Sequence, residues 1–185
     1  MSDHLVHAAA MPRPESMMKI NMYSASVEIF LPMLETMRVV LEKGAANAQA
    51  RQIEPAVLVN ARLAPDMLPL ARQVQLASDF AKNSTARLAA VEPPRYEDVE
   101  STFEELRARI DKTVRWVRDV PPGALDGAED RDIRVPLRDR TLEMKGLPFL
   151  QRWALPNFFF HVTTAYDILR HNGVELGKRD FLGGV

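Results

Sequence analysis

The chain of 185 residues is 46% hydrophobic and 26% charged, enough apolar content for one ordinary core and a balance normal for a soluble globule. Its 24 Lys and Arg against 25 Asp and Glu leave a formal net charge of -1, which removes any global pull toward nucleic acid or an anionic membrane. The absence of cysteine excludes disulfides, thiolate metal sites, cysteine nucleophiles and iron–sulfur clusters, and it suits a reducing, cytoplasmic setting.

Residues 1–19 lack apolar periodicity and carry Pro12, Pro14 and the methionines Met1, Met11, Met17 and Met18. Asp3, His4 and His7 interrupt the apolar centre that a secretory signal needs. The segment reads as a disordered leader, or as an over-long start with Met17 or Met18 as the natural beginning, and residues 20–185 read as a single helical-bundle domain. From Tyr23 onward, Val27, Phe30, Leu31, Leu34, Met37 and Leu41 recur at three- and four-residue steps, the mark of one buried helical face. Pro32 should kink this helix or mark a late start. The alanine-rich stretch 42–52 continues it before it frays, and residues 55–59 read as a single helical turn opened by Pro55.

A second long helix is expected from Asp66, with Asp66 as N-cap and Pro69 in the first turn. Leu68, Ala71, Val74, Ser78, Ala81, Thr85 and Leu88 hold one face, and Pro93-Pro94 stops it. The third helix carries the stripe Val99, Phe103, Leu106, Ile110, Val114 and Val117, ended by Pro121-Pro122-Gly123. The period then drops to two. Ile133, Val135 and Leu137 alternate with polar neighbours, Arg138-Asp139-Arg140 turns the chain, and Leu142 and Met144 alternate again, which predicts a short hairpin with Pro136 on an edge. Residues 148–155 look helical, Pro156 should break or bend the helix, and residues 157–171 resume it with Phe158, Val162, Ala165 and Leu169 on one stripe. Asn172-Gly173 is the stop, and Phe181 and Leu182 should tie the tail back to the body. Four long helices and a hairpin between the third and fourth predict an all-α four-helix bundle.

No glycine-rich phosphate loop, nucleophile elbow or paired-histidine zinc helix occurs, so chemistry has to come from polar residues at buried positions. His161 is the foremost candidate, because it follows Phe158-Phe159-Phe160 in an aromatic run. It reads either as a metal ligand or general base, or as a core histidine hydrogen-bonded to a neighbouring helix. His171 points about 80° away from it at 100° per residue and fits a cation at a helix end, while Asn172 fits a cap. Gln75, Asp79 and Lys82 form a polar stripe on the second helix. Asp79 can face His161 as a ligand or orienting carboxylate, or pair locally with Lys82. Asn60, Arg62 and Asp66 cluster in the loop before that helix, where pocket lining and loop hydrogen bonding are both open. Tyr166 can point inward as a pocket residue or serve as core. Arg107, Arg109, Arg115 and Arg118 are interleaved with acids and read as solvated helix faces.

The stretch Asn60-Ala61-Arg62-Leu63-Ala64-Pro65-Asp66-Met67, the segment Arg72-Gln73-Val74-Gln75, and the closing run from Phe160-His161-Val162 through His171-Asn172-Gly173 to Gly177-Lys178-Arg179-Asp180-Phe181-Leu182-Gly183 together resemble the family catalogued as domain of unknown function 1993. That family is similar to the DinB/YfiT-like superfamily, whose members are described as metalloenzymes and include thiol-dependent transferases and maleylpyruvate isomerase-like enzymes. The resemblance implies a DinB-like four-helix bundle. It also implies a metal site built from one His on the second helix and a His-x-x-x-His pair on the fourth. Here the fourth helix offers His161 with Ala165 four residues on, and the second offers Asp79 and no His, so at most His161 carries over.

Two readings follow. The first is an enzyme acting on a small molecule in an inter-helix pocket, with His161, Asp79 and Tyr166 as catalytic candidates and Asn60, Arg62 and Gln75 as pocket residues. The second is a non-catalytic ligand-binding or oligomeric scaffold that has lost the ancestral metal. Neither requires a cofactor; a divalent metal would have to sit on His161 with carboxylates such as Asp79. The expected partners are a small-molecule ligand and a second copy in a homodimer, with no nucleic acid and no membrane. A dry core with His161 held by one hydrogen bond would favour the second reading, and a polar pocket converging on His161 the first.

Overall fold

The computed structural model describes residues 20–184. The leader reading of residues 1–19 lies outside them. Four long helices, α1 (Val27–Ala50), α3 (Leu70–Ala89), α4 (Phe103–Asp119) and α6 (Leu155–His171), form the bundle, with single-turn helices α2 (Pro55–Val59), α5 (Gly146–Phe149) and α7 (Lys178–Phe181) at its connections. Strands β1 (Asp132–Pro136) and β2 (Thr141–Lys145) make the antiparallel hairpin between α4 and α6, with Ile133 opposite Met144 and Val135 opposite Leu142. The all-α bundle with its late hairpin is therefore the fold. Around the bundle, α1 packs on α4, α4 on α3, α3 on α6 and α6 on α1. Phe30 and Leu34 of α1, Leu70 and Val74 of α3, Leu106 and Ile110 of α4, and Phe158 and Leu169 of α6 meet in the buried centre, where Phe30 and Phe158 pack edge to face at 4.9 Å. Among the described residues, no helix is long and apolar enough to cross a membrane.

The helix ends differ from the periodicity in four places. Pro32 neither delays nor breaks α1, because it lies early and exposed in a helix that already begins at Val27. Asp66 does not cap α3. That helix begins at Leu70 behind an extended Pro69 (ψ 167°), since the residue before a proline is steered out of the helical region and Leu68 cannot join a helix running through Pro69. Val99 lies 72% exposed in an extended strap, and α4 starts instead at a capping box in which Thr102 Oγ1 accepts from the Glu105 N–H and Glu105 accepts from the Thr102 N–H. Pro156 does not break the last helix. A π-helical turn, Leu150–Ala154, links α5 to α6 directly, and its wider winding accommodates the ring that would otherwise press on the carbonyl four residues back. At the far end, α6 stops at a left-handed Gly173 (φ 87°), as its sequence predicts. Phe181 packs on Tyr166, whereas Leu182 stays exposed.

Candidate functional site

The second turn of α6 and the first turn of α3 bring the buried His161 and Gln73 together. His161 Nδ1 lies 2.8 Å from Gln73 Oε1, and Gln73 Nε2 donates to the Leu68 carbonyl at 2.9 Å. The carbonyl bond orients the amide, so its oxygen faces the ring; an amide oxygen only accepts, which puts the imidazole proton on Nδ1 and the lone pair on Nε2. Phe80 stacks on the ring at 5.5 Å and Phe160 meets it edge-on at 5.3 Å. His161 is left 8% exposed. Burial, reinforced by the nearby charge of Arg72, pushes its pKa down to about 4. The imidazole is therefore neutral at pH 7, weakly basic, and committed through one nitrogen to α3.

This donor set does not fit a divalent metal centre. Zinc and nickel sites in bundles want several imidazoles or carboxylates converging on one point. Among the described residues no group of three His, Cys, Asp or Glu does so. Four residues beyond His161 lies the apolar Ala165; four residues before it, Asn157 donates its amide to the Trp153 carbonyl at 2.7 Å. His171 is exposed at the end of α6.

The other candidate residues lie elsewhere. Asp79 turns away from His161 to accept from Arg109 at 3.1 Å and to pair with Lys82 at 3.0 Å. Gln75 joins the same cluster, donating to Glu100 at 2.9 Å and accepting from Arg72 at 2.6 Å. Tyr166 faces the tail, its ring 5.6 Å from that of Phe181. Asn60 and Arg62 are exposed and brace their own loop, donating to the carbonyls of Ala56 (2.9 Å) and Met67 (2.6 Å). Asn172 caps α6 through the Ile168 carbonyl.

Arg109 is the main correction among charged residues. Rather than lying on a solvated face, it is 1% exposed and held by Asp79, Asp98 (3.0 Å) and Glu100 (3.1 Å), with Tyr96 beneath it. Its position between Leu106 and Ile110 on the apolar stripe was the available signal. Gln73 carried a similar one, lying between Leu70 and Ala77 on the buried side of α3.

On the other side of Phe80, α3 faces the hairpin and the π-turn across a cleft of about 250 Å³. Leu76, Asp79, Phe80, Asn83, Ser84 and Arg87 line it from α3, Val135 and Leu137 from the hairpin, and Phe149 and Trp153 from the approach to α6. π-turns inside helices recur at functional sites, and this one carries Trp153.

Residues 22–182 match the family model described as Domain of unknown function (DUF1993). The chain is also similar to the crystal structure of a DinB family member protein from Shewanella denitrificans, with 38% identity over 88% of this chain and 92% of that one, and a TM-score of 0.83. No curated protein matches it. With most of its length covered by the family model and its bundle superposing on a DinB relative, the chain belongs to the DUF1993 family of DinB-like proteins.

Proposed function

We propose that this chain is a non-catalytic, ligand-binding DinB-like bundle in which the Gln73–His161 hydrogen bond joins the two helices that the superfamily resemblance would have joined through a metal. The observation that carries the reading is the state of His161: one ring nitrogen tied to an amide, the ring held neutral between Phe80 and Phe160, and, among the described residues, no group of three metal ligands that includes it. A buried hydrogen bond of this kind fixes the spacing of α3 and α6 and leaves His161 with too little basicity for efficient general-base work near neutral pH. The enzyme reading needs Asp79, Tyr166 and His161 to converge, and their contacts take them to three different neighbours. Ligand binding then belongs to the cleft beside Phe80.

Elemental analysis of untagged, dialysed protein tests this. Substoichiometric zinc and nickel are expected. Near one equivalent of either, lost on His161→Ala, would overturn the reading and restore a metal centre.

A further inference from the structure

The guanidinium of Arg87 differs from those of the ion-paired arginines. Arg109 is ringed by carboxylates, Arg72 pairs with Asp98, Arg38 with Glu35 and Glu42, and Arg134 with Glu143. Arg87 has no carboxylate within ion-pair distance among the described residues, although it is half-buried at the wall of the cleft. It donates through Nε to the Arg134 carbonyl at 3.4 Å and through Nη1 to the Asn83 carbonyl at 3.2 Å. The Nη2 group has no protein acceptor among the described residues. Burial alone lowers its pKa, with no acidic neighbour to offset the loss of water. A partly desolvated cation with free N–H groups is matched best by an anion, and a planar guanidinium fork by a planar carboxylate.

The rest of the cleft narrows the ligand. Leu76, Phe80 and Trp153 supply an apolar bed between the two ends. Asp79 marks the opposite end, eight residues back along α3, or about 12 Å at the helical rise of ~1.5 Å per residue. Its charge is taken up by Arg109 and Lys82, so it does not oppose an anion at Arg87. The volume of about 250 Å³ lies below the ~300–1,000 Å³ of clefts that hold drug-sized molecules. One guanidinium without a carboxylate partner, with no second cation or helix N-terminus among the described residues that line the cleft, suits a monoanion better than a phosphate.

We propose that the cleft between α3, the hairpin and the π-turn binds a small amphipathic monocarboxylate, with its carboxylate on Arg87 and its apolar body between Phe80 and Trp153. This rests on the ligand-binding reading above and names the ligand class. Carboxylate binding gives the Nη2 group a charge-assisted partner, while the apolar body covers the two half-exposed rings.

The test is titration of the full chain with 3-phenylpropionate at pH 7.5, followed by amide NMR shifts and tryptophan fluorescence. 3-Phenylpropanamide serves as the uncharged twin and phenylsuccinate as the dianion. Saturable binding is expected, with shifts centred on α3, β1 and the π-turn. The amide twin and the dianion should each bind at least about tenfold more weakly, the scale of one charge-assisted pair. Arg87→Gln should weaken the acid by a similar factor and leave the amide unchanged. Equal affinity for acid and amide, acid binding indifferent to Arg87→Gln, or no saturable binding would overturn the proposal; if Arg87→Gln does not fold, the acid–amide comparison on the wild type decides alone. Metal content of the same sample separates the two readings. Near-stoichiometric zinc with selective acid binding overturns the non-catalytic reading and supports this one, whereas metal-free protein that ignores the acid overturns this one alone.

Discussion

His161 is a residue whose protonation the fold opposes, and the sign of the consequence follows from linkage. In the unfolded chain a histidine titrates near 6.5; in the fold this one is pushed down to about 4 by burial and by the charge of Arg72. Between those values the unfolded chain holds a proton that the native state does not. Stability is therefore full above about pH 6.5, falls as the pH drops through the window, and levels off below about 4. A shift of this size corresponds to about 3 kcal/mol. Asp98 adds acid sensitivity of its own. Burial raises its pKa, but the Arg72 hydrogen bond and the Arg109 charge outweigh that and hold it below the usual carboxylate value, so its contribution is lost at lower pH. Urea unfolding of wild type and His161→Gln between pH 4 and 7.5 isolates the histidine: the wild type is expected to lose stability more steeply, and parallel curves would place His161 in contact with water. His171→Ala, at an exposed helix end, should stay within about 0.5 kcal/mol of wild type throughout.

At the scale of elements, the faces of the helices were legible and their ends were less so. Within α1, α3 and α4 the stripes name residues that are mostly buried, because burial on one face is what three- and four-residue spacing encodes, whereas Leu68 and Val99 lie exposed ahead of their helices; in the hairpin Ile133 and Val135 are buried and Leu137, Leu142 and Met144 half-buried. Ends depend on local chemistry that spacing does not carry: Pro69 displaces the start of α3, Thr102 and Glu105 place that of α4, and the π-turn absorbs Pro156. The junction of hairpin and α5 depends on Gly146, where a Cβ would sit 1.8 Å from the Ala128 carbonyl oxygen. No flexible side chain can yield there; backbone must move. Gly146→Ala is expected to lower stability by roughly 1–3 kcal/mol, as overpacking does, and to disturb the amide signals of the hairpin more than those of α1. A neutral substitution would show that the close approach of the two backbones is absent in solution.

Across the whole molecule, one charged cluster does what an apolar core usually does. Arg109 of α4 joins Asp79 of α3 to Asp98 and Glu100 of the strap, and the buried Lys82 donates to the Pro94 carbonyl (2.9 Å) with its ammonium 4.0 Å from the Tyr96 ring centre. The strap 91–102 is thereby fastened across α3 and α4. Removing the guanidinium takes from Asp79, Asp98 and Glu100 the buried cation they share, with Lys82 and Arg72 still beside the first two, so Arg109→Met should cost about 3–5 kcal/mol in denaturant unfolding. A loss under about 1 kcal/mol would mean that water already screens the cluster. The sequence pointed to His161 but not to its partner: Asp79 was the visible carboxylate, yet three-dimensional neighbours on α4 claim it, and an amide one turn into α3 takes its place. Arg87 and Trp153 went unread for a related reason, since the cleft they line is assembled from three segments distant along the chain.

The hydrogen bond between Gln73 and His161 is the tie between α3 and α6, and a double-mutant cycle at those two positions measures it. Urea unfolding at pH 7.5 of wild type, Gln73→Ala, His161→Ala and the double variant is predicted to give a coupling of at least about 1 kcal/mol, because each single change strands a buried polar partner and the double change strands none at this contact. Additivity within about 0.3 kcal/mol would contradict it and leave α3 and α6 without the tie on which the proposed function rests.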